Sequence, residues 1–120
     1  MRYILVVDDD EAFRKAVARF LQEAGFGVHV AADHRLALEI LEGDEPVDLL
    51  LTDIVMPDRV NGLALARMGR MRRRDLKIVY VTGYDLPGIE DEALGHILRK
   101  PIEPAELVEE IKRILGAQPE

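Results

Sequence analysis

The chain of 120 residues contains no cysteine, which removes thiol catalysis, disulfides and thiolate metal sites together. The redox compartment is left open by that absence. No apolar run approaches membrane-spanning length, and the opening "MRYILVV" meets charge at Asp8 without a signal-peptide cleavage pattern. A cytoplasmic protein without a membrane partner is therefore expected. Basic residues are in deficit: 16 Lys and Arg against 23 Asp and Glu give a formal net charge of −7. That is the wrong sign for a phosphate-backbone footprint, so no direct nucleic-acid binding is expected. Internal repeats, linkers and low-complexity tracts are missing too. So is any strand opening into a G-x-G-x-x-G or P-loop pattern, which makes a nucleotide or flavin binder the poorest fit. What is present, 48% hydrophobic and 32% charged residues, describes one ordinary globular domain over residues 1–120. That length buries a core of its own and leaves no room for an attached output domain.

The organising stretch is "DLLLTDIVMP", Asp48 to Pro57. Its unbroken apolar run Leu49–Leu51 suits a strand buried on both faces of a parallel sheet. Asp53 stands at the end of that run, and Pro57 makes continued pairing unfavourable, so the carboxylate is expected at a strand's C-terminal mouth. In open α/β sheets that is where sites lie.

The rest of the chain alternates strand and helix patterns five times. "YILVV" (Tyr3 to Val7) is a short β-branched strand running into Asp8, Asp9 and Asp10. A helical pattern follows with Phe13, Val17, Phe20, Leu21 and Ala24 on one face, stopped by Gly25. Val28 and Val30 mark a second strand, and Asp33 is placed to cap a helix carrying Leu36, Ile40 and Leu41 up to Gly43. After the loop "DRVNG" a helix from about Gly62 presents Leu63, Leu65, Ala66 and Met68, with Gly69 weakening its middle. Arg67, Arg70, Arg72, Arg73 and Arg74 make its far half basic, as a solvated face near the helix C-terminus or as a partner-docking patch. "KIVYVTG" is a fourth strand ending at Thr82 and Gly83, and "HILRKP" a fifth ending at Lys100 and Pro101. The last helix starts near Pro104, turns Leu107, Val108, Ile111, Ile114 and Leu115 inward, and closes at Gly116. Such alternation is the signature of an α/β fold with a doubly wound five-stranded parallel sheet; the flavodoxin-like (βα)5 order 2-1-3-4-5 is the natural choice for it, and that choice is not independent of the family resemblance given below. A barrel needs about 250 residues.

Parallel strands end on one side of their sheet, so Asp8, Asp9, Asp53, Thr82 and Lys100 converge. Three crowded carboxylates repel and raise one another's pKa unless a cation neutralises them. Oxygen ligands without His or Cys point to Mg²⁺. Lys100 is a flexible charge suited to a phosphate oxygen, Thr82 offers a hydroxyl to a second, and Asp53 then reads as a nucleophile that takes a phosphoryl group as an acyl phosphate.

With "VVDDD" after the first strand, "DIVMP" around Asp53, "VTG" ending the fourth strand and "KP" ending the fifth, the chain resembles the receiver domain of two-component response regulators over essentially its whole length. The resemblance implies that Asp53 is the phosphoacceptor, that Asp8, Asp9, Asp53 and the backbone carbonyl of Val55 hold Mg²⁺, and that Thr82 and Lys100 contact the phosphoryl group. It also implies a cis Lys100–Pro101 bond. A sensor histidine kinase or a histidine phosphotransfer protein would be the phosphodonor, and an unidentified downstream protein the recipient of the signal. Homodimerisation stays open. Such a chain is not an enzyme, catalysing only its own phosphorylation and dephosphorylation.

Two departures stand out. Ile97 occupies the place, three residues before Lys100, where the family usually carries Tyr or Phe, and the segment Thr82 to Lys100 is about one helical turn shorter than usual. Pro87, Gly88 and Gly95 restrict its helix to at most about two turns around Glu90 to Leu94, dependent on docking Ile89 and Leu94. A shortened fourth helix, a mobile Gly83 to Gly88 loop and Tyr84 supplying the missing aromatic are the expectation. One alternative is a phosphorylation-independent interaction module on the same fold. Another is a haloacid-dehalogenase-type phosphatase, for which "DDDEA" (Asp8 to Ala12) offers two acids but Ala12 where Thr or Val belongs.

Overall fold

The computed structural model describes residues 1–55 and 61–116. Met56, Pro57 and the first three residues of the "DRVNG" loop lie outside the described residues, so the reading of Pro57 as a strand breaker falls there too. Five strands, β1 (Tyr3–Val7), β2 (Gly27–Ala31), β3 (Leu49–Asp53), β4 (Lys77–Thr82) and β5 (His96–Arg99), alternate with α1 (Glu11–Glu23), α2 (His34–Glu42), α3 (Gly62–Arg72), α4 (Ile89–Glu92) and α5 (Pro104–Gly116). All strand pairs are parallel and the order is 2-1-3-4-5, as the sequence pattern predicts.

The apolar strands divide their side chains by alternation. Ile4, Val6, Leu49, Leu51, Val79 and Val81 pack with Val17 and Leu21 of α1 and with Leu107, Ile111 and Leu115 of α5. Leu5, Val7, Leu50, Ile78 and Tyr80 pack on the other face with Ala37 and Leu41 of α2, Leu65 and Ala66 of α3 and Ile89 of α4. Because β1, β3 and β4 are covered on both sides, they read as continuous apolar runs.

Helix ends follow local chemistry. Asp10 and Asp33 cap α1 and α2, their carboxylates accepting from the N–H groups of Phe13 and Leu36. Asn61 caps α3 through Ala64. At the end of α1, Gly25 takes φ +99°, while its N–H bonds the carbonyl of Gln22 and the Phe26 N–H bonds that of Leu21, the paired bonds of a left-handed helix stop.

Several expected placements are corrected. Phe20 and Leu36 are exposed rather than packed inward, because the covered stripes of α1 and α2 centre on Val17–Leu21 and Ala37–Leu41. Ile89 of α4 docks in the core, but Leu94 lies past the end of the helix and is exposed, and the helix is a single turn. Gly69 has a packing reason: a Cβ there would stand 3.1 Å from both Leu41 Cδ1 and Leu76 Cδ2. Nor are the arginines of α3 a simple solvated face. Arg73 donates to the carbonyls of Ile40, Leu41 and Gly43, Arg70 donates to Leu76, and Arg72 pairs with Glu42. Arg73 thereby satisfies backbone acceptors left over where α2 ends.

Candidate functional site

Each side chain of the site stands where a strand stops. Asp8 follows β1 and Asp53 ends β3, both nearly covered, whereas Asp9 is exposed. A carboxylate oxygen from each of Asp8, Asp9 and Asp53 lies within 4.8 Å of the others. Thr82 ends β4 fully buried. Lys100 follows β5, and its bond to Pro101 is cis. The site residues expected from the sequence are therefore brought together at one pole of the sheet.

The ammonium of Lys100 bridges two of the acids, with Nζ 2.9 Å from Asp8 Oδ2 and 3.1 Å from Asp53 Oδ2. Backbone N–H groups hold the other oxygens: Asp10 donates to Asp8 Oδ1 at 2.9 Å and Val55 to Asp53 Oδ1 at 3.2 Å. Thr82 Oγ1 accepts from the Tyr84 N–H at 3.1 Å, while its carbonyl accepts from the Lys100 N–H at 2.9 Å. The last pairing of β4 with β5 thereby carries the lysine to the acids.

Burial raises the carboxyl pKa of Asp8 from its ordinary value; the Asp10 N–H and the Lys100 ammonium pull it back, and the charge of Asp53 adds the smallest push upward. Desolvation more than mutual repulsion thus perturbs this acid. Lys100 is itself desolvated, which works downward, yet its hydrogen bond to Asp8 and the charges of Asp8 and Asp53 leave its pKa raised. One ammonium shared by two carboxylates does not fully compensate the buried Asp8. A divalent cation would, and the donor set, oxygen only and within reach of a common point, fits Mg²⁺.

Four residues that the sequence reading did not assign to the site support it. Arg14 donates to the carbonyl of Asp8 at 2.8 Å, and Thr52 Oγ1 to that of Asp53 at 2.8 Å. Gly62 passes so close that a Cβ there would collide with the Asp53 carbonyl, and the ring centroid of Phe13 is 4.5 Å from Lys100 Nζ. No local pattern announces these contacts, since three of the four join separate elements. Tyr84, expected to supply an aromatic, is exposed.

Comparison with known proteins agrees with this geometry. The family model described as response regulator receiver domain matches residues 4–112. The chain is 36% identical to the response regulator receiver protein CpdR of Brucella abortus, covering 98% of this chain and 99% of that one. It is 37% identical to a part of the sensor kinase CckA of the same organism, covering 96% of this chain and 13% of CckA. Among solved structures, a CheY-like receiver domain protein from Methanospirillum hungatei superposes with a TM-score of 0.86 at 30% identity, over 98% of this chain and 95% of that one. The response regulator TrrA of Thermotoga maritima, solved in complex with Mg²⁺ and BeF, superposes with a TM-score of 0.79 at 32% identity over 96% and 100%.

Proposed function

The chain belongs to the receiver domain family of response regulators and is a receiver of two-component phosphorelay signalling; on that premise we propose that Asp53 is the residue that takes the phosphoryl group. One observation supports the assignment: Asp53, the last residue of the central strand β3, stands 3.1 Å from the Lys100 ammonium with oxygens of Asp8 and Asp9 within 4.8 Å, in the place where the receiver resemblance sets the phosphoacceptor. A carboxylate oxygen of Asp53 attacks the phosphorus of a phosphohistidine on a kinase or phosphotransfer protein. The new P–O bond forms as the P–N bond breaks, and that electron pair stays on the imidazole nitrogen.

The transfer moves negative charge from the carboxylate to the phosphoryl oxygens. Lys100 is already within hydrogen-bond reach of that locus and follows the charge. The hydroxyl of Thr82, which accepts from Tyr84, has a proton to donate to another phosphoryl oxygen. Asp8, Asp9, Asp53 and the carbonyl of Val55 would hold Mg²⁺, which when bound neutralises the acids and draws charge from the phosphoryl group. Asp8 and Asp9 do no proton chemistry in this reading; they orient and balance charge. Thr82 is joined to Tyr84, so its movement reorders the 83–88 loop, and a downstream protein or a second copy of the chain reads the change. The chain acts on no substrate besides itself, in the cytoplasm; no described helix is long and apolar enough to cross a membrane.

Incubation with a small acyl phosphate and Mg²⁺, followed by intact-mass measurement, tests the assignment. One added phosphoryl group on the parent and none on Asp53→Asn is expected. Equal labelling of the two chains would overturn it.

A further inference from the structure

Phe13 lies in the first turn of α1, three residues after the capping Asp10. Its ring centroid is 4.5 Å from the ammonium of Lys100, the same ammonium that contacts Asp8 at 2.9 Å and Asp53 at 3.1 Å. The cation is thus bounded by two carboxylates and an aromatic face. The ring is half-buried, packed on the cluster that contains Val17, Val81 and Leu107, so its orientation is fixed by the core. Together with Gly83, Lys100, Pro101 and Ile102 it also lines a cleft of about 460 Å³ beside the site.

A ring and a carboxylate hold a lysine in different ways. The carboxylate contacts are directional hydrogen bonds that change when Asp53 loses its charge to a phosphoryl group. Attraction to the ring quadrupole is broad and persists while the ammonium shifts by an ångström or two. A lysine side chain has four rotatable carbons and no stiffness of its own. From this geometry we propose that Phe13 is a positioning residue for phosphoryl transfer, keeping Lys100 over the acids while its partner changes from carboxylate to phosphoryl oxygen. The role rests on Asp53 being the phosphoacceptor.

A double-mutant cycle read by the rate of phosphorylation separates this role from simple packing. The parent, Phe13→Leu, Phe13→Tyr, Lys100→Gln and the Phe13→Leu/Lys100→Gln double variant are mixed with a small acyl phosphate and Mg²⁺, and the gain of mass is followed in time. Phe13→Leu is expected to slow the parent about three- to tenfold, between what an exposed and a fully desolvated cation–π contact supply, and Phe13→Tyr to restore the rate. On the Lys100→Gln background Phe13→Leu should change nothing further. Equal slowing on both backgrounds would overturn the proposal by showing that the ring only packs, and so would a Leu variant as fast as the parent. Melting curves confirm folding, and Phe13→Met takes the place of the Leu variant if that chain is unfolded at the assay temperature. A parent that gains no phosphoryl mass overturns the reading of Asp53 and this proposal with it. Labelling that is normal and needs Asp53, with flat Phe13 kinetics, overturns the proposal alone.

Discussion

The backbone N–H of Leu94 donates to the hydroxyl of Tyr80 across 3.1 Å, tying the segment between α4 and β5 to strand β4. Tyr80 is fully buried two residues before Thr82 and pairs in register with Ile97. The buried aromatic beside β5 thus comes from the neighbouring strand. Burial pushes the Tyr80 hydroxyl pKa up, so the group remains a neutral phenol across the ordinary pH range.

Replacing Tyr80 with Phe keeps the ring and removes the acceptor, which leaves a partly covered N–H unpaired. A stability loss of about 1 kcal/mol is expected. Hydrogen exchange at Leu94 should accelerate well beyond that of β1 or β3, while phosphorylation of Asp53 continues. Unchanged exchange at Leu94 would show that α4 is anchored by Ile89 alone.

Divalent cation should stabilise the metal-free chain, because it neutralises acids that Lys100 serves only in part. Melting curves with Mg²⁺ and with a chelator are expected to differ by a few degrees. Asp9→Asn removes the exposed ligand and should shrink that difference without harming the fold. A full Mg²⁺ shift in this variant would place the metal elsewhere.

Asp8 makes the stability of the metal-free chain depend on pH in an unusual direction. Its folded pKa is raised by burial above that of an ordinary aspartate, so between the unfolded and folded values the native state binds more protons. Stability from this group is then greatest below the unfolded value and is lost as pH rises through the folded one. Asp8→Asn, which keeps an acceptor for the Asp10 N–H, should melt a few degrees higher than the parent at pH 7 in chelator. That advantage should vanish as pH falls below about 4. An advantage that grows toward acid would contradict the sign.

Gly62→Ala tests how tightly the site is built. The added Cβ would meet the Asp53 carbonyl and the Ile54 Cα, backbone atoms that cannot turn aside, and the Gly62 N–H already bonds the Ile54 carbonyl at 2.8 Å. A loss of about 1–3 kcal/mol in urea unfolding is expected, in the range of core overpacking. Phosphorylation should fall with it, since the displaced backbone carries Asp53. Gly116→Ala, with nothing near its Cβ, is the control.

Much of this molecule is legible in the order of its residues, because the physics concerned is local or periodic. Buried parallel strands must be apolar throughout, so β1, β3 and β4 show as short unbroken runs. Asp8, Asp9, Asp53, Thr82 and Lys100 sit where those runs and β5 stop, and parallel topology sends them to one pole. Asp33 and Gly25 mark helix ends through their own side-chain and backbone chemistry. Tertiary structure alone decided what depends on the approach of separate elements. Helical periodicity gives the direction of a face but not its width, and Phe20 and Leu36 fall outside the covered stripes for that reason. Arg73 is recruited by carbonyls of α2, Gly69 by the closeness of Leu41 and Leu76, Tyr80 by an amide beyond α4, and Phe13 by a lysine at the far end of the chain. Those partners are chosen by packing, and neither residue of such a pair carries a local mark of the other.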